Sequence, residues 1–349
     1  MGTQNSLTEA ALPGYLRRIG LVAESDSVSV EKAGDGNINW VRRARVSAPE
    51  GASSDGTSWI VKQARPALER FPEYQVTTER IVFEARYYAR TRPWDQEEIC
   101  PEILHFDERE RVLILEDLGD AERLDTRLAS AGDTSGVAAA LARFLATVHA
   151  ATREPGLAAD FENDAMRRLH GDHIFSLPYE AGAFPLAPEV ARRAARVQTA
   201  EFRQLAAATY ERYLEPKGAL VHGDVQAGNV LLPPTGPKLL DAEIAHVGDP
   251  AFDLGTLFAH LLLPDLARGE PGHGLASARA AWEAYAGVDE PALRFEEAVR
   301  YAGFELLRRT LGAARLAALE DTGAALRVLD VGERWTREPP GDPDGLTRA

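Results

Sequence analysis

The chain has 349 residues, room for two domains or for one bilobal unit with well-covered cores. Its 39 basic against 54 acidic residues give a net charge of -15, with no local basic patch to offset it, so nucleic acid is not expected as a partner. A single cysteine, Cys100, excludes an intrachain disulfide and fits a reducing compartment. The longest apolar runs, such as Leu257 to Leu263, fall far short of the ~20 residues of a membrane span. No basic segment with an apolar core opens the chain, so a cytoplasmic protein without membrane contact is expected.

The first third alternates in the manner of a strand meander. Ser27 to Val46 reads as strand, glycine-containing turn and strand, and Gly56 to Ala64 as a third strand carrying Lys62. Thr77 to Arg90 has Ile81, Ala85 and Tyr88 at helical spacing, with Thr78 as cap, and Arg111 to Asp117 is a short aliphatic strand ending in acids. From Gly119 the chain turns Ala/Leu/Arg-rich and helical. Leu141, Phe144, Leu145 and Val148 form one stripe, and further helices are expected over about 188–214, 275–286 and 296–319. One strong β signal, Ala219 to Val247, interrupts them with two apolar runs joined at "PPTGP". An α+β fold follows, with a small antiparallel-sheet lobe (1–118), a larger mainly helical lobe (119–337) and a Pro/Gly/Asp-rich tail (338–349) expected to be disordered.

The tripeptide His-Gly-Asp occurs twice, at His170 to Asp172 and at His222 to Asp224. Phosphoryl transfer from ATP asks for a carboxylate to orient the attacking hydroxyl, oxygen ligands for magnesium and a lysine on the phosphates. Behind Asp224 stand Asn229, five residues on, and Asp241, seventeen on at a strand end, and a hairpin closed at "PPTGP" would bring the three oxygen-bearing side chains together. Behind Asp172 the same offsets hold Leu177 and Glu189, so no ligand set follows, and Asp172 reads as a capping or loop carboxylate.

The second copy resembles the motif of the aminoglycoside phosphotransferase and choline kinase superfamily, which is protein-kinase-like in fold. The resemblance implies Asp224 as catalytic base, Asn229 and Asp241 as magnesium (Mg2+) ligands, His222 as a structural brace, and Asp253 of "GDPAFDLG" as the residue holding the catalytic loop from behind. In such a kinase Gly34, Asp35, Gly36 and Asn37 form a turn whose backbone can approach the triphosphate of ATP, although Asn39 stands where a third glycine would be. Lys62 is the phosphate-binding cation, with Glu84 as its expected carboxylate and Glu79 as the alternative. Backbone groups from Glu116 to Leu118 are the candidates to pair with adenine.

Several separated pieces, in order from about Gly34 to Arg315, look like segments of the 5-methylthioribose kinases: "GDGNINWV", "IVKQARPALERFPEYQVTTERIVFEARYYA", "LILEDL", "DAEIAHVGDPAFDLG" and "AGFELLRRTLGAAR". That resemblance implies Arg308 and Arg309 as substrate-binding residues, Glu243 as a further metal-shell carboxylate, a small-molecule acceptor of ribose type and a homodimer. Arginine forks suit diol and phosphate oxygens. Those kinases generally have Ser, His, Pro and His where this chain has Asn229, Gln226, Ala242 and Arg315. An antibiotic or other small-alcohol phosphotransferase is the alternative within the fold. A non-catalytic nucleotide-binding protein is a third reading, expected to lack the base or a metal ligand, whereas Asp224, Asn229 and Asp241 are all present.

Overall fold

A computed structural model describes residues 6–34, 39–47, 56–67, 75–154, 156–270, 272–288 and 293–347. The chain divides into two units, Met1–Arg90 with Pro101–Gly119, and Thr91–Cys100 with Asp120–Ala349.

The first unit holds α1 (Leu12–Arg18), β1 (Ser27–Lys32), β2 (Trp40–Ser47), β3 (Ser58–Gln63), α2 (Arg80–Thr91), β4 (Ile103–Asp107) and β5 (Val112–Glu116). The five strands form one antiparallel sheet in the order β1-β2-β3-β5-β4. Alternation along β2 buries Trp40 and Ala44 in one core with Val61, Val112 and Ile114, which α1 covers with Leu12, Tyr15 and Leu16. This first helix was not expected from the sequence, because seven residues are too few to display a period. α2 begins at Arg80, and its entry is turned by Thr77, not Thr78: Thr77 Oγ1 accepts from the Glu79 N–H at 3.2 Å. The Arg80 side chain is fully buried, donating to Asn39 Oδ1 at 2.7 and 3.0 Å and to the Arg65 carbonyl at 3.1 Å. Asn39 thus ties the strand after the glycine turn to the start of α2.

The second unit contains β6 (Glu122–Arg123), α3 (Leu124–Ala129), α4 (Ser135–Ala151), α5 (Leu157–Asp160), α6 (Asp164–Phe175), α7 (Pro188–Ala194) and α8 (Ala200–Leu214). After these come β7 (Ala219–Val221), β8 (Val230–Leu232), β9 (Lys238–Leu239), β10 (His246–Gly248), α9 (Ala251–Arg268), α10 (His273–Val288), α11 (Phe295–Leu311) and α12 (Thr322–Arg337). α4 packs along α10, and α11 packs against both α9 and α12. The approach of α12 needs Gly303, where a Cβ would lie 2.8 Å from the Thr336 nitrogen and 2.9 Å from the Gly332 oxygen.

Three sequence expectations change here. The helix over 188–214 is two helices, because Thr199 caps α8 by accepting from the Phe202 N–H at 3.2 Å. The helix over 296–319 stops at Leu311, before Gly312. The tail is not without structure: Pro343–Thr347 forms a short 3-10 turn, Leu346 is buried and Asp344 pairs with Arg279 at 2.9 Å. The buried leucine anchors this turn, while the ion pair is exposed and adds little. Among the described residues, no helix is long and apolar enough to cross a membrane.

Candidate active site

Within the first unit, β3 places Lys62 and α2 places Glu84 so that the ammonium reaches both carboxylate oxygens, at 2.9 and 2.8 Å. Both side chains are buried, and Tyr88, one turn after Glu84, donates to the same carboxylate at 3.1 Å. Glu84, not Glu79, is therefore the partner of Lys62. A buried pair of this kind is held by geometry more than by net energy. Gly34 has φ +65°, the left-handed conformation a tight glycine turn requires, while Asp35, Gly36 and Asn37 lie outside the described residues. At the end of β5 the Glu116 N–H donates to the Glu102 carbonyl at 3.1 Å, and its carboxylate accepts from the Glu102 N–H at 2.9 Å. That N–H is committed to the sheet and is not open to a base. Asp117, between Glu116 and Leu118, is held by Arg43 at 2.9 Å.

In the second unit, the His222-Gly223-Asp224 stretch leaves β7 through a turn that only glycine fits. Gly223 has φ +84°, and a Cβ there would lie 2.7 Å from the Ile244 carbonyl oxygen. Asp253, at the start of α9, fixes this turn: its two carboxylate oxygens accept from the N–H groups of His222 at 2.7 Å and Gly223 at 2.9 Å. His149 approaches the same carboxylate at 3.3 Å. Burial raises the Asp253 pKa, but His149, His222 and the Gly223 N–H outweigh it and hold the carboxyl below its ordinary range. His222 is fully buried, and its Nδ1 accepts from the Asp224 N–H at 3.3 Å.

Asp224 Oδ2 accepts from Asn229 Nδ2 and from Gln226 Nε2, each at 2.9 Å. Burial pushes the Asp224 carboxyl up, opposed by Arg308 and Arg309. The hairpin inferred from the sequence is present. β8 and β9 pair antiparallel with Val230 opposite Leu239, and the Leu240 N–H donates to the Asn229 carbonyl at 2.8 Å. Asp241, next in the chain, has φ +65°, a strained conformation for an aspartate, and is exposed. The carboxylates of Asp241 and Glu243 offer oxygens within 4.8 Å of one another. The Asn229 amide nitrogen donates to Asp224 Oδ2, and its oxygen, 3.4 Å from Gln226 Nε2, is the atom that would face a metal. Two carboxylates and an amide oxygen, all hard donors, fit magnesium chemically.

The arginine pair is anchored by a residue that the sequence reading passed over. Glu305, buried in α11, receives Arg308 at 3.1 Å, Arg309 at 2.6 Å and His260 at 3.2 Å. Although burial raises its pKa, the two guanidinium groups hold this carboxyl well below the usual range. Arg309 then reaches Gln226 Oε1 at 2.7 Å, so a continuous chain of bonds runs from Glu305 through Arg309 and Gln226 to Asp224. Arg308 keeps a buried Nε without a hydrogen-bond partner. The signal for Glu305 was in the sequence: a carboxylate three and four residues before two arginines on one helix. Gln226 had no such signal, since its role depends on α11 passing beside the loop.

The first His-Gly-Asp copy lies inside α6, and Asp172 is neither a cap nor a loop residue. It is exposed and accepts from the Tyr210 hydroxyl at 2.9 Å. His170, on the same helix, points elsewhere: its Nε2 lies 4.0 Å from Asp224 Oδ1.

A profile of the phosphotransferase enzyme family matches residues 45–295. The chain belongs to this family. The phosphotransferase is 28% identical over 356 residues to a methylthioribose kinase of Bacillus cereus, with 90% of this chain and 87% of that protein covered. The methylthioribose kinase of Bacillus anthracis aligns with the same identity and coverage. Among solved structures, an aminoglycoside phosphotransferase from Alicyclobacillus acidocaldarius matches at TM-score 0.52 and 15% identity, covering 99% of this chain and 97% of the other. A choline/ethanolamine kinase family protein from Mesorhizobium loti matches at TM-score 0.51 and 18% identity, covering 95% of each. These likenesses show the fold, an antiparallel sheet followed by a mainly helical remainder of protein-kinase type. Family membership makes the chain an enzyme that transfers a phosphoryl group to a hydroxyl.

Proposed function

We propose that this phosphotransferase is an ATP- and magnesium-dependent kinase acting on a hydroxyl of a ribose-like sugar, 5-methylthioribose above all. The observation that carries the acceptor reading is the arginine pair beside the base, Arg309 buried and Arg308 half-buried. Arg308 and Arg309 both act on Asp224 electrostatically, and Arg308 holds a buried Nε with no partner. A guanidinium there suits the oxygens of a neutral polyol and repels a polycationic aminoglycoside. The relatives named methylthioribose kinase support the same acceptor, aligned over 90% of this chain.

In this reading Asp224 Oδ1 accepts the proton of the attacking hydroxyl, and Asn229 and Gln226 hold Oδ2 so that the carboxylate cannot rotate. Arg308 and Arg309 offset negative charge that develops on the transferring group. Lys62, fixed by Glu84, provides a cation for the phosphates of ATP. Asn229, Asp241 and Glu243 would hold magnesium, whose charge offsets that of the triphosphate.

A coupled ADP-release assay over 5-methylthioribose, 5-deoxyribose, choline and kanamycin tests the reading. Turnover is expected with the ribose-like sugars. Turnover of kanamycin alone would replace them with an antibiotic acceptor, and ATP binding without any transfer would make the chain a nucleotide-binding protein.

A further inference from the structure

Around Asp224, one oxygen is accounted for and the other is not. Oδ2 accepts two hydrogen bonds, whereas Oδ1 is shielded from solvent and has no hydrogen-bond partner. Against Oδ1 the structure sets His170 Nε2, 4.0 Å away. His170 is only 8% exposed, and neither of its ring nitrogens has a hydrogen-bond partner. Its ring stands edge-on to Phe252 with centroids 5.9 Å apart, so packing fixes the direction in which the nitrogen points. Buried polar groups are nearly always paired, and two unpaired ones facing each other at a reaction centre mark a place made for a third group.

The separation says what that group is. At 4.0 Å the two atoms are too far apart for a hydrogen bond. One oxygen atom placed ~2.8 Å from each would satisfy both, with an angle of ~90° at that oxygen. Burial holds the imidazole well below its ordinary pKa, with Arg308 and Arg309 acting in the same direction against Glu305, so the ring is neutral. The negative charge of Asp224 favours the tautomer with its proton on Nε2.

We propose that His170 is an acceptor-binding residue whose Nε2–H donates a hydrogen bond to the attacking hydroxyl while that hydroxyl donates its own proton to Asp224 Oδ1. The proposal rests on the reading of Asp224 as the base. The hydroxyl oxygen forms its bond to the transferred phosphorus, the bond from phosphorus to ADP breaks, the hydroxyl proton goes to Asp224, and His170 keeps its own. A histidine here holds the nucleophile from a second direction, which one carboxylate oxygen cannot do.

The test compares wild type with His170→Phe, which keeps a ring against Phe252 but removes the N–H, and with His170→Gln, which restores an N–H donor. Steady-state kinetics are run with the sugar and alcohol panel above, ATP affinity is measured by calorimetry without acceptor, and folding is followed by thermal melting. His170→Phe is expected to lower kcat/KM for the acceptor about tenfold or more, with ATP affinity changed less than about twofold, and His170→Gln to recover much of the loss. Acceptor kcat/KM within twofold of wild type in His170→Phe, or ATP affinity falling in step with it, would overturn the proposal. If His170→Phe does not fold, His170→Gln against His170→Asn, whose amide is one methylene short of the bridge, decides the same point. Wild-type failure on ribose-like sugars overturns the ribose-type acceptor alone, because the variants are then compared on whichever panel alcohol turns over. A wild type that phosphorylates none of them overturns both.

Discussion

The same tripeptide sits in two regions of the second unit and does two different jobs. In α6, His170, Gly171 and Asp172 run through a regular helix, where the missing Cβ of Gly171 makes room for the Tyr210 ring and Asp172 binds the Tyr210 hydroxyl. After β7, His222, Gly223 and Asp224 turn sharply at a positive φ, with two N–H groups bound to Asp253. The difference lies in the backbone and in what stands behind it. A helix spends its N–H groups on itself, whereas the turn exposes two that a buried carboxylate can grip, and that grip aims the Asp224 side chain into the site. The two copies nevertheless converge, since His170 faces Asp224.

The sharpest way to separate the copies is through the magnesium ligand set proposed for the second copy alone. Chelating divalent metal should stop turnover, and Asp241→Asn should lower kcat about 10²–10³-fold, as removal of one charge-stabilising group from a reaction centre does. No comparable change on the Asp172 side should alter the dependence of rate on magnesium concentration, measured by titration.

Next in size is the brace. Asp253→Ala leaves the buried N–H groups of His222 and Gly223 without an acceptor, a cost of about 1–3 kcal/mol for each, read as a lower melting temperature together with a lower kcat. The pH dependence has a definite sign. A folded-state pKa held below the unfolded value of about 3.9 adds stability that is present above that pH and fades as pH falls through the folded pKa. Acid unfolding of Asp253→Asn should therefore lack this contribution, measured by melting across pH 2 to 6, a window of about four units around the usual carboxylate range.

The glycines give a smaller, paired contrast. Gly223→Ala forces a Cβ onto the Ile244 carbonyl at a strained φ and should cost about 1–3 kcal/mol along with most of the activity. Gly171→Ala meets only the edge of the Tyr210 ring, so stability should drop while kcat for the folded protein stays near wild type. Smallest of all, Tyr210→Phe removes the bond to Asp172 and should cost about 0.5–1.5 kcal/mol at most, with unchanged kinetics.

Much of this was legible in the residues. The spacing from Asp224 to Asn229 and Asp241 encodes a hairpin, because a turn at "PPTGP" between two apolar runs fixes which residues meet, and β8 pairs with β9 accordingly. Lys62 on its strand alone reads as a solvated lysine and takes its proposed role only from the neighbouring motifs, and only the packing of α2 on the sheet distinguishes Glu84 from Glu79 as its partner. Gln226 and His170 were given no role in the site because those roles come from contacts across 83 and 54 positions (309 to 226 and 224 to 170), which no local period records, whereas Glu305 stands at local helical spacing from Arg308 and Arg309 and was passed over. α1 and the ordered end at Pro343–Thr347 were missed for the opposite reason: each is too short to show a pattern and is held by a few buried side chains.

The most direct measurement is the kcat of Asp224→Asn and Asp172→Asn in one ADP-release assay with one acceptor, with ATP affinity measured alongside. Asp224→Asn should fall by about 10²–10⁴-fold with ATP binding retained, and Asp172→Asn should stay within about twofold of wild type. An Asp224→Asn enzyme that keeps a tenth or more of its turnover, or an Asp172→Asn enzyme that loses as much, would contradict the assignment of the chemistry to the second copy.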